Sequence, residues 1–129
     1  MAAALTADEE AFYEDFTTQF FSVDGVLKVS EEERQKALAL ARQADKNAAL
    51  KCQAAFGTTD FRDDLKLVTV PTLVIHGGAD AIVPFEGSGR RTHEAIPGSE
   101  VHVIAGAPHG VNVSDAEEFN RVVLAFLAK

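Results

Sequence analysis

The chain has 129 residues, the size of one domain, and its 47% hydrophobic and 25% charged residues describe a globular protein rather than a disordered one. Acidic side chains outnumber basic ones 20 to 12, for a formal net charge of −8, which disfavours nucleic acid and anionic membrane surfaces as partners. The lone Cys52 excludes an internal disulfide framework and a cysteine-rich zinc site, and no apolar run approaches the roughly 18 residues of a membrane span.

Met1–Thr6 lacks the basic region and apolar stretch of a signal peptide, which together with the single thiol predicts a cytoplasmic protein. Thr6-Ala7-Asp8-Glu9 fits a capping box, with Leu5, Phe12, Phe16 and Phe20 at helical spacing behind it and Tyr13 beside them. Asp24-Gly25 marks a turn. Ser30-Glu31-Glu32-Glu33 is a second capping box, whose acidic run suits a helix dipole. It opens an Ala/Leu/Lys/Arg/Gln-rich stretch that predicts one helix to about Phe56, with Gly57 as its stop. A short helix is expected from about Asp60 to Leu67.

The pattern changes at Pro71. Thr72-Leu73-Val74-Ile75-His76, closed by Gly77-Gly78, reads as a parallel strand buried on both faces. Pro84 suits the first position of a helix running to Ile96, which Pro97-Gly98 closes. Glu100–Ile104 alternates as a strand with one exposed face would, and places His102 on its polar side. After the loop Gly106–Gly110, Ser114-Asp115-Ala116-Glu117 forms a third capping box. Ala116, Phe119, Val123, Phe126 and Leu127 supply the apolar stripe of the last helix.

Strand, helix, strand and helix in that order make a right-handed βαβ unit with a closing helix. Two parallel strands are too few to be stable alone, so the rest of the sheet is expected from another chain or from a longer protein. An oligomer through the unpaired strand edge stays open.

Functional groups of open α/β sheets gather at the carboxyl ends of strands. Asp80 follows the first strand and His109 the second. Strands about 4.8 Å apart allow the two to meet. An Asp bonded to one ring nitrogen of a His leaves the other free as a general base, which is two thirds of a hydrolase triad. The plain alternatives are an Asp bonded to its own turn and an exposed loop histidine.

The stretch Pro71–Phe85 resembles the acid-bearing strand and loop of α/β-hydrolases, and Ala107-Pro108-His109-Gly110 resembles their histidine loop. The wording of Ala55-Phe56, Thr59-Asp60-Phe61, Phe85-Glu86, Ile96-Pro97-Gly98-Ser99 and Glu117–Asn120 is similar to the branch of cofactor-free haloperoxidases (perhydrolases) and aryl esterases. The resemblance implies an α/β fold in which residues 1–56 are a helical cap segment and 57–129 the carboxy-terminal βαβα portion of the core. It implies Asp80 and His109 as catalytic residues and no cofactor or metal. Ile82 and Val83 are placed to wall the substrate site. The G-x-S-x-G turn of the nucleophile is absent; Gly87-Ser88-Gly89 has neither the spacing nor a preceding strand.

The expected function is therefore that of the carboxy-terminal half of a serine hydrolase acting on a small ester or acyl compound. Its partner would be an amino-terminal half that brings the serine and the oxyanion hole. The rival readings are a non-catalytic fragment or partner-binding half-domain, and a small flavodoxin-like binding module, for which no glycine-rich phosphate loop is present. His76, Asp80 and His109 could be grouped as a two-His, one-carboxylate metal set, but His76 is expected to pack or bond near its loop. His93 is read as a solvated surface residue, Cys52 as small and at least half-buried, and Phe12, Phe16, Phe20 and Phe21 as packing rather than a substrate pocket.

Overall fold

A computed structural model describes residues 1–129. Its first part is four helices and a hairpin. Helix α1 spans Ala2–Ala7 and α2 spans Glu9–Phe20. The cap between them is Asp8, whose carboxylate accepts from the Ala11 amide at 2.9 Å. Thr6, expected as the cap, lies inside α1 and donates to the Ala2 carbonyl. Asp8, two residues on, wins because its ionised oxygen faces the positive end of the longer helix.

Strands β1 (Ser22–Val23) and β2 (Val26–Leu27) pair across Asp24 and Gly25, whose φ angles of 50° and 75° both lie in the left-handed region. Two consecutive positive φ values match the twist of a two-residue hairpin, and Asp-Gly is among the pairs that adopt them readily. Helix α3 (Glu31–Ala41) starts at Ser30, whose hydroxyl accepts from the Glu33 amide. The reciprocal half of that capping box is not formed, since Glu33 pairs with Lys36.

The single helix expected to Phe56 is two. Asp45 accepts from the Ala48 amide at 2.8 Å and starts α4 (Lys46–Thr58), so Gly57 lies inside α4 rather than stopping it. Leu5, Tyr13 and Leu38 form the core of these helices. On α2 the deepest residues are Tyr13 and Thr17, while Phe12, Phe16 and Phe20 are half-buried in a ladder of rings 5.7 and 5.8 Å apart. Buried Arg34 bonds Glu31 and Glu14, and its guanidinium, with help from Gln35, holds the Glu31 carboxyl down to about 2.

The second part begins with the single turn α5 (Arg62–Leu65) and continues with β3 (Leu73–Gly77) and β4 (Glu100–Ile104). These two strands are parallel, in register from Leu73 opposite Glu100 to Gly77 opposite Ile104, and form a two-stranded sheet. Between them the chain stays extended at Pro84 and makes a 3-10 turn over Phe85–Gly87. Helix α6 starts only at Gly89 and ends at Ala95. After β4 come α7 (Val111–Ser114) and α8 (Ala116–Leu127). Ser114, expected to cap the last helix, ends α7 and bonds the Asp115 carboxylate instead.

Helix α8 lies over the face of the sheet that carries Ile75, His102 and Ile104, where Ile104, Ala107 and Val111 meet Phe119. His102 is accordingly half-buried, with Nε2 2.8 Å from Glu118 of α8. Val101 and Val103, on the other face, are more than a third exposed because α6 covers mainly β3 there. The strand alternates as expected, but its covered side is the histidine side. For the same reason β3 is half-buried rather than enclosed. His93 is not a solvated residue: its Nδ1 is 2.8 Å from the buried Ser99 hydroxyl. No helix is long and apolar enough to cross a membrane.

Candidate active site

The site is built where the two parallel strands end. The loop after β3 is stitched to the loop after β4: the Gly78 amide donates to the Ile104 carbonyl at 2.8 Å and the Ala79 amide to the Ala107 carbonyl at 2.9 Å. The backbones pass so closely that a Cβ on Gly77 would lie 2.1 Å from the Pro108 carbonyl oxygen and 2.6 Å from that of Ala107. Only glycine fits there. This approach brings Asp80 and His109 together.

Asp80 is buried, and its two oxygens have separate work. Oδ1 accepts from the Ile82 and Val83 amides, both at 2.9 Å, which folds the loop back on its own side chain. Oδ2 lies 2.7 Å from His109 Nδ1. The turn-forming and the histidine-orienting readings of this residue are therefore both realised, one on each oxygen. A carboxylate only accepts, so Nδ1 of His109 carries the proton and Nε2 keeps a free lone pair. His109 is partly exposed, with buried Pro108 before it and buried Gly110 after it.

His76 joins the group from the strand itself. Its Nε2 is 2.9 Å from the Val83 carbonyl and 3.4 Å from Asp80 Oδ2. Both neighbours only accept, so Nε2 is the protonated nitrogen and donates to Val83. Phe20, at the end of α2, lies edge-to-face with the His109 ring, centroids 4.7 Å apart and planes at 82°.

A cavity of about 510 Å³ opens beside the imidazole. Phe16, Cys52, Phe56, Ile82, Val83 and His109 line it, so helices α2 and α4 form one wall and the Asp80 loop the other. Ile82 and Val83 reach it because the turn around Asp80 Oδ1 directs them there. Cys52 is exposed into this cleft, which corrects the expectation of burial; α4 has no fully buried residue. Of the phenylalanines assigned to packing, Phe16 lines the cavity and Phe20 touches the histidine. No motif marks either, and only the i, i+4 spacing that places them on one face of α2 pointed to them. A larger polar cleft of about 840 Å³ runs between α5 and α6 past Arg62, Lys66 and Arg91, away from Asp80 and His109.

No protein-family model matches the chain. The crystal structure of a bromoperoxidase from Bacillus anthracis superposes with a TM-score of 0.95 at 46% identity, covering 98% of this chain and 46% of that one. A non-heme chloroperoxidase of Kitasatospora aureofaciens is 36% identical over 125 residues, covering 95% of this chain and 46% of the relative. A bifunctional esterase/perhydrolase of Acinetobacter calcoaceticus is 41% identical over 73 residues, covering 57% of this chain and 26% of the relative.

Two parallel strands with helices on both faces, and an Asp and a His meeting beyond their carboxyl ends, make up one part of the α/β-hydrolase fold. Within that class the chain matches the carboxy-terminal half of proteins of the non-heme haloperoxidase and esterase type. It spans about half the length of the relatives that it matches.

Proposed function

We propose that this chain supplies the acid and base of a serine hydrolase that acts on small esters or related acyl compounds, and that an amino-terminal half supplies the serine and the oxyanion hole. The observation that carries the reading is the 2.7 Å contact between His109 Nδ1 and buried Asp80 Oδ2, beside an apolar cavity. The 129 residues contain no G-x-S-x-G.

In this reading residues 1–56 are the cap segment and 57–129 the end of the hydrolase core. The serine hydroxyl gives its proton to His109 Nε2 as its oxygen attacks the carbonyl carbon. Asp80 holds the imidazole in the required tautomer and stabilises the imidazolium. Backbone amides of the amino-terminal half hold the oxyanion. His109 then passes the proton to the departing alcohol, leaving an acyl-serine.

Water, deprotonated by the same nitrogen, releases the acid. Hydrogen peroxide in place of water releases a peracid, which oxidises halide without metal or haem; the naming of relatives as chloroperoxidase and esterase/perhydrolase supports this second outcome. The apolar lining by Phe16, Ile82 and Val83 suits an uncharged acyl group. The reaction needs no cofactor, and its place is the cytoplasm.

The test is complementation. The chain is combined with the amino-terminal half of a related hydrolase carrying G-x-S-x-G, then treated with a fluorophosphonate probe and with p-nitrophenyl acetate. The expected result is label on the amino-terminal half and ester turnover that His109→Ala abolishes. Label on the 129-residue chain, or turnover indifferent to His109→Ala, overturns the proposal. Stable association with neither label nor turnover favours the non-catalytic fragment.

A further inference from the structure

We propose that Phe20 and Phe21 are positioning residues for His109: the end of helix α2 clasps the histidine loop and fixes where the imidazole stands. The inference rests on the reading of His109 as the proton-transfer group.

Three observations converge on this junction. The Gly110 amide donates to the Phe20 carbonyl at 2.8 Å. The Phe20 ring meets the His109 ring at 4.7 Å between centroids. Phe21, 3% exposed, presses on Gly110 so closely that a Cβ there would lie 2.3 Å from its ring, and 2.8 Å from that of Phe20.

The backbone of Gly110 explains why the third matters. Its φ of −77° is open to any residue, so conformational freedom is not what requires glycine. The aromatic pair is. Pro108, just before the histidine, is fully buried, so the loop is held on both sides of His109. Asp80 grips one edge of the imidazole and Phe20 packs against the ring. Together they fix its rotation and leave Nε2 for proton transfer.

The junction is also isolated. Gly110 to Phe20 is the one hydrogen bond between residues 1–59 and residues 60–129; no side-chain bond or ion pair crosses that line. The polar tie between the helical segment and the histidine loop is therefore made at Phe20 alone, next to the ring that touches the imidazole.

The experiment uses the 129-residue chain, labelled with nitrogen-15 at histidine, in complex with the unlabelled amino-terminal half of the complementation test. The readout is the low-field proton on His109 Nδ1 and the rate at which it exchanges with water. The unaltered chain is expected to show this proton. Gly110→Ala is expected to lose it, because the methyl group drives the loop from Phe21. Gly110→Ala with Phe21→Leu, whose smaller side chain makes room for the methyl group and still packs on the loop, is expected to regain it. Phe20→Leu, which adds no bulk, is expected to speed its exchange about fivefold while far-ultraviolet circular dichroism stays the same.

A Gly110→Ala protein that keeps the proton at full intensity overturns the proposal. So does a folded double variant without rescue. If Gly110→Ala does not fold, Phe20→Leu decides, and an unchanged exchange rate overturns the positioning role. Absence of the proton from the unaltered chain would instead remove the Asp80–His109 pair, and the proposed function with it.

Discussion

His76 stands 3.4 Å from Asp80 Oδ2 while its Nε2 donates to the Val83 carbonyl at 2.9 Å. The ring thus spans both ends of the turn that Asp80 closes with its own Oδ1. His76→Leu keeps the approximate volume and removes the nearer of two donors, leaving the half-buried Val83 carbonyl only the Ser88 hydroxyl at 3.4 Å. The expected loss is about 1–2 kcal/mol, read from urea unfolding. An unchanged midpoint would mean that the Ser88 hydroxyl or water satisfies the Val83 carbonyl equally well.

Asp80→Asn separates the two tasks of that side chain. The amide oxygen can still accept from Ile82 and Val83, so the turn survives, but the amide nitrogen cannot accept from His109 Nδ1. In the complemented hydrolase kcat for p-nitrophenyl acetate should fall by about 10⁴-fold, the size of loss seen when a triad imidazole is left in the wrong tautomer. A fall of less than tenfold would show that Asp80 serves the turn alone.

Two glycines make opposite predictions. Gly77→Ala sets a methyl group into the Pro108 and Ala107 carbonyls, neither of which can move without the histidine loop, and should cost about 1–3 kcal/mol. Gly57→Ala in α4 meets nothing within 4 Å and removes a flexible residue from a helix, so it should stabilise by about 0.5–1 kcal/mol. Thermal unfolding of both variants in parallel checks the pair. Equal effects would contradict the close approach at Gly77.

Tyr13 is 6% exposed, and no protein group is within hydrogen-bond reach of its hydroxyl. Burial, with Glu9 and Asp45 near it, raises the phenol above its ordinary value. A raised folded-state pKa means a contribution that is intact below about pH 10 and is lost as pH climbs through the folded value. Alkaline unfolding followed by circular dichroism should therefore be eased by Tyr13 ionisation and delayed in Tyr13→Phe. The same variant should be stabilised by about 1 kcal/mol at neutral pH, since it removes an unpaired buried hydroxyl. Destabilisation at neutral pH would show that the hydroxyl has a bound-water partner.

The Asp80–His109 pair was legible because each residue follows a short apolar run closed by glycine or proline, and parallel strands deliver their ends side by side. His102 shows the limit of such patterns. Alternation tells which side chains share a face, but only α8 decides which face is covered. Composition also hides single caps: the helix-forming residues around Asp45 outweigh it in any summed propensity, yet one carboxylate bonded to Ala48 splits the helix. Thr6 and Asp8 competed for one cap, and charge settled it. Phe20 and Phe21 were read as packing because their role depends on a loop ninety residues away, contact that no local pattern carries.

The scarcity of polar ties between the first four helices and the strand-bearing part bears on how the molecule melts. Units joined by one hydrogen bond need not unfold in a single transition. Tyr13 is the only tyrosine and there is no tryptophan, so tyrosine absorbance follows the helices alone, whereas backbone ellipticity sums both parts. The two signals therefore watch different parts of the chain, and coincident midpoints would show that the aromatic contacts at His109 and Gly110 couple them.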